Sequence, residues 1–213
     1  MDESRSIFRL EIEGHWSAEE LGNLLIAISD LYAIRLYLEI LYEDRFQWMR
    51  YYPDFWDPKA FPTSQLRRRP YGRPFPWWLN PPPLGESQLS RISQLIEPEG
   101  RLEVRRVDYA SPGIADLAGI GVVVGHVKDF VFKLLDRQDT KRSRELDDER
   151  AALENERLRI ENARNFVALA SDLGYNKTDL RSLVLHVDGK QDAIIALIEQ
   201  KKLRGISYSD DER

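Results

Sequence analysis

The sequence predicts an α+β fold: a small antiparallel sheet packed on apolar helices, then a long charged helix and a small C-terminal helical bundle. Three observations carry this. Segments 6–14 and 101–109 read as short strands, each feeding directly into a helix; those two helices carry apolar residues nearly all round; and beyond residue 137 the composition turns abruptly charged. The expected organisation is an α+β head over 1–137 containing a proline-rich, aromatic and basic loop at 50–85, a charged helical linker or half coiled coil over 138–165, and a small helical domain with a flexible end over 166–213.

In residues 6–14, Phe8, Leu10 and Ile12 alternate with Arg9, Glu11 and Glu13, the period-two pattern of a half-buried strand. A helix start follows. Ser17 and Glu20 have capping-box spacing, and Trp16 and Leu21 hold the two positions of a hydrophobic staple. The helix over about 17–48 has too many apolar positions for a single stripe, so it is expected at the centre of the fold. A short helix over 86–96 leads to the strand at 101–109, where Leu102 and Val104 share one parity and Val107 and Tyr109 the other. A parity change midway implies a bulge near Arg105-Arg106. The two strands are expected in one sheet, because a lone strand leaves its backbone groups unmatched. Next, Ser111-Pro112-Gly113 reads as a helix start, with Ser111 as N-cap and Pro112 at the first helical position, opening an apolar helix to about Arg137.

In the charged stretch 138–172, Leu146, Leu153, Ile160 and Val167 recur every seven residues, while the positions three further on are Glu149, Glu156, Ala163 and Ala170. This is half a coiled-coil pattern. It fits either a solvated linker helix with one row resting on a neighbour or self-association through that row. The chain from 163 to 204 reads as three helical pieces separated by Gly174-Tyr175 and Asp188-Gly189. With apolar positions at Leu180, Leu183, Val184, Ala193, Ile194, Leu197 and Ile198, it resembles the ubiquitin-associated type of three-helix module over about 40 residues. The family's usual first-turn methionine is replaced here by Leu173. The resemblance implies a compact interaction module whose binding face is Leu173, Gly174, Tyr175 and the last helix.

The 213-residue chain can bury about 70% of the surface its unfolded form exposes, so it needs no disulfide framework. It has no cysteine, which excludes thiol catalysis and thiolate metal sites and fits a reducing, cytoplasmic setting. No apolar run reaches the roughly 20 residues that span a bilayer, and the net charge of -5 argues against coating by nucleic acid. The segment between Phe46 and Trp78 breaks this acidic pattern, holding eleven of the chain's 22 aromatic residues, and eight of its eleven prolines fall between Pro58 and Pro83. Within it, Arg67, Arg68, Arg69, Tyr71, Arg73, Phe75, Trp77 and Trp78 interleave cations with flat rings. Three uses fit: docking a protein partner, for which arginine and tryptophan are the residues of interface hot spots; packing against the protein's own helices; or, as the alternative function, holding single-stranded nucleic acid by charge and stacking. Proline favours docking, because a stiffened loop loses less entropy on binding.

No catalytic constellation emerges. His15, His126 and His186 are far apart, and His126 with Asp129, which meets a helical metal-site spacing, is flanked by core valines. Gly119, Gly121 and Gly125 superficially resemble a dinucleotide fingerprint, but read as lying inside a helix they serve packing, with Gly121 and Gly125 admitting a second helix. The expected function is therefore a non-enzymatic adaptor or regulatory subunit with no cofactor, a protein partner and a homodimer through the long helix.

Overall fold

A computed structural model describes residues 5–51, 81–108, 112–142 and 148–209. The chain builds a four-stranded sheet and a layer of helices on one of its faces. In chain order the elements are β1 (Arg5–Ile12), α1 (Ala18–Tyr51), α2 (Glu86–Leu89), α3 (Ile92–Leu95), a 3₁₀ turn at Pro98–Gly100, β2 (Glu103–Asp108), β3 (Gly113–Ile120), α4 (Gly121–Arg142), α5 (Asp148–Asp172), α6 (Lys177–Glu199) and β4 (Leu203–Ser209). The sheet order is β2-β3-β1-β4, with every neighbouring pair antiparallel. This is the α+β class that the alternating and all-apolar segments predict.

The start of α1 follows the sequence closely. Glu20 accepts from the Ser17 amide at 2.8 Å while Ser17 Oγ accepts from the Glu20 amide at 3.1 Å, so two amides that lack helical partners are satisfied reciprocally. Trp16 is buried, and its indole N–H donates to the Glu13 carbonyl at 3.0 Å. The bulge in β2 is present where the parity changes, between Val104 and Arg106. Its effect is to pair Val104 with Leu117 and Val107 with Ala115, which puts both valines on the helix-bearing face of an edge strand.

Four expectations are corrected. The segment after Ser111 does not begin as a helix: residues 113–120 form the central strand β3, and α4 starts at Gly121. Its Asp116 explains the choice, since opposite Arg9 in β1 it accepts two hydrogen bonds, from Arg9 Nε at 2.7 Å and Nη2 at 2.8 Å. β1 and β2 share one sheet, as expected, but β3 lies between them. Second, no break occurs at Asp188-Gly189. α6 runs through them because Gly189 faces open space and Asp188 is engaged by Arg159, so only the roughly 1 kcal/mol helix penalty of a glycine applies. Third, the C-terminal segment is neither a separate bundle nor purely helical. α5 and α6 share one hydrophobic core with β1, α1 and α4, and β4 pairs with β1 to complete the sheet. Nor is the charged stretch one linker helix, for α4 reaches Arg142 and α5 packs back on it.

A buried tyrosine holds the layers in register. Tyr32, at the middle of α1, donates its hydroxyl proton to the Gly100 carbonyl at 2.8 Å and accepts from the Ile120 amide at 2.9 Å. It thereby ties the 3₁₀ turn to the junction of β3 and α4.

Candidate functional site

The α5–α6 corner is where the sequence places one docking face. Gly174, at φ 88°, is the left-handed residue that ends α5: its amide bonds the Ser171 carbonyl at 2.9 Å and the Tyr175 amide bonds Ala170 at 3.2 Å. This pair of bonds is a Schellman motif, with Tyr175 lying over the last turn. The same geometry accounts for the Gly-aromatic dipeptide on which the family resemblance rests. Leu173 and Tyr175, however, are buried in the core, and Gly174 alone of the three is exposed. Burial, with Tyr37 against it, pushes the Tyr175 phenol well above its ordinary range, so it stays protonated. The corner is therefore a structural joint, and its two large side chains offer no surface to a partner.

Arg67, Arg68, Arg69, Tyr71, Arg73, Phe75, Trp77 and Trp78 lie outside the described residues. The described chain on either side of them converges on this same corner. Before the segment, Arg45 of α1 donates to the Asp172 carbonyl at the end of α5. After it, the buried Leu84 donates its amide to Asp179 Oδ1 at 3.0 Å, in the first turn of α6. Asn176 caps that turn, accepting from the Thr178 and Asp179 amides.

The heptad row is divided. Leu146 lies outside the described residues, Leu153 and Ile160 are exposed at 71% and 44%, and Val167 is half-buried. The face of α5 that enters the core is a different one, carrying Leu158, Phe166, Ala170 and Leu173. Leu153 and Ile160 thus do not rest on the protein's own head. Arg159 fixes this orientation by bonding Asp188 at 2.6 Å and Asp192 at 3.0 Å on α6, and Glu161 does so on the other side by pairing with Lys133 of α4 at 3.3 Å.

Between α1, α4 and α5 lies a cleft of about 120 Å³. Leu31, Phe130, Leu158 and Phe166 form its floor, with Arg35, His126, Lys133, Asn162 and Asn165 among its polar lining. Arg35 bonds Glu39 and reaches His126 Nε2 at 3.1 Å. Burial, then the neighbouring Arg35, lowers the His126 pKa, so the ring is neutral with Nε2 as acceptor. This contact was illegible in the sequence, since the two residues are 91 apart. Among the described residues no group of three or more histidine, aspartate or glutamate side chains is placed to hold a metal, and no helix is long and apolar enough to cross a membrane.

The glycines near 120 also change role. Gly119 lies near the end of β3 and Gly121 opens α4, so the strand-to-helix junction falls between them and not at Ser111 to Gly113. The turn is nonetheless filled from within, because the ring of Tyr32 occupies the space beside Gly119 and its hydroxyl takes the Ile120 amide. Gly125 is approached by the hydroxyl of Tyr208 in β4, and not by a second helix, while Lys128 lies 3.6 Å over that tyrosine ring. Compared with protein-family models, curated proteins and solved structures, the chain matches none.

Proposed function

We propose that this chain is a non-enzymatic interaction subunit, an adaptor or regulatory protein of the cytoplasm that docks a protein partner. The observation that carries the reading is the line of Leu153 and Ile160, two large apolar residues exposed on a helix whose opposite face is already buried in the core. A helix needs only one apolar stripe to pack, so a second on the solvent side calls for a second surface. The arginine- and tryptophan-rich sequence of 67–78, whose flanking chain is anchored at the α5–α6 corner, supports a docking role beside it. Cysteine-free composition supports a reducing compartment.

The test compares affinity capture by the tagged protein with capture by an Arg67→Ala/Arg68→Ala/Arg69→Ala variant, alongside titration of a labelled single-stranded oligonucleotide at low and high salt. Proteins held by the parent and lost by the variant support partner docking. Salt-sensitive oligonucleotide binding that the triple substitution abolishes would replace this reading with nucleic-acid binding.

A further inference from the structure

Resting on the reading of the outer face of α5 as a docking surface, we infer that its occupant is a second copy of this chain, with the two α5 helices side by side and parallel. The position of the row makes this possible. Arg159 and Glu161 are the sequence neighbours of Ile160, so they stand about 100° to either side of it. They tie α5 to α6 and to α4. Ile160 therefore bisects the arc that those helices leave open, and Leu153, two turns earlier, continues the same line.

The charges beside the line choose both the partner and its direction. Glu156, four residues before Ile160, lies about 40° to the α6 side, whereas Arg157 and Arg164 lie about 60° and 40° to the α4 side. All three are exposed. Two parallel helices related by a two-fold along their length bring the α6-side flank of one against the α4-side flank of the other. Glu156 then meets the partner copy's arginine at 157, and the symmetry repeats the pair on the other side of the seam. An antiparallel pairing sets like flank against like flank, glutamate by glutamate and arginine by arginine. Spacing by seven keeps the apolar residues of two parallel helices opposite one another, provided the pair winds left-handedly.

Because the chain has no cysteine, introduced thiols report only their own encounters. Leu153→Cys and Ile160→Cys variants of the full chain, singly and mixed, are oxidised mildly while the parent is sedimented at about 10 to 200 μM. The parallel pair predicts that each variant cross-links to itself, that mixing adds no 153-to-160 cross-link, and that Ile160→Glu weakens association at least about tenfold. Both positions are exposed, and circular dichroism checks that each variant folds. Predominant 153-to-160 cross-links would overturn the direction. A parent that stays monomeric throughout would overturn the second copy as occupant; if it still captures a partner that Ile160→Glu loses, the docking reading survives and only the occupant named here fails.

Discussion

Replacing Gly119 by alanine tests the packing of the β3–α4 junction. The backbone there is not left-handed, so alanine meets no conformational barrier. The obstacle is space, since the added methyl carbon would lie 2.7 Å from Tyr32 Cε2 and 2.9 Å from both Cζ and the hydroxyl oxygen. Tyr32 cannot step aside cheaply, being 1% exposed and held at its hydroxyl by Gly100 and Ile120. Overpacking a filled core costs about 1–3 kcal/mol, and each hydrogen bond lost as the ring shifts adds about 1 kcal/mol. The expected loss is about 2–4 kcal/mol, or a fall in Tm of roughly 4–16 °C at 2–4 °C per kcal/mol. Gly205→Ala is the control. Its new carbon would come even closer to a neighbour, 2.5 Å from Glu11 Oε2, but Glu11 is an exposed side chain whose carboxylate can swing into solvent. Urea unfolding followed by tryptophan fluorescence should show a large shift for Gly119→Ala and a small one for Gly205→Ala. Equal shifts would refute the argument that the fixity of the neighbour, and not the distance, sets the cost.

Three further outcomes follow from the same geometry. Lys201 adopts φ 59° where α6 meets β4, in a Schellman cap usually occupied by glycine, so Lys201→Gly should stabilise by about 0.5–1 kcal/mol in urea unfolding. Asp179→Ala leaves the buried Leu84 amide without its acceptor, and should cost about 1–3 kcal/mol and speed hydrogen exchange at that amide. His126 has a lowered pKa in the fold, from burial and then Arg35, with Glu39 and Asp129 opposing. The unfolded state therefore binds the proton more tightly: its contribution is complete above the unfolded value near 6.5 and is lost as pH falls from there through the lowered folded value. Stability measured between pH 8 and 5 should show this loss in the parent and less of it in His126→Gln.

How much of this was legible from sequence depended on whether one residue's neighbours alone determine its state. The α1 start was legible because Ser17 and Glu20 satisfy each other within one turn. The β2 bulge was legible because Val104 and Val107 cannot share a face without it. β3 was missed for the opposite reason. A central strand buried on both faces, Ala115 through Ala118, shows no alternation and merges with the apolar run of α4. Its buried acid, Asp116, was a clue, but the partner Arg9 lies 107 residues away. β4 was hidden behind α6, whose Gly189 suggested a break that open space made unnecessary. The seven-residue spacing of the α5 row was plain, yet which face of that helix enters the core was decided by Leu158, Phe166 and the ion pairs of Arg159.

The pairing of β1 with β4 has a consequence for how the protein is made. β1 leaves the ribosome well before β4, since Leu203 of β4 is 191 positions beyond Ile12, its partner in the ladder. At roughly 5–20 residues per second, the nascent chain carries β1 for about 10–40 s before the strand that flanks it exists. Throughout that interval Phe8, Leu10 and Ile12 can pack on α1, and later on β3, but one row of β1's backbone groups stays open to pairing with a foreign strand. Arg9 and Glu11, the charged residues that alternate along it, keep that open edge from being a wholly apolar strand of the kind that aggregates.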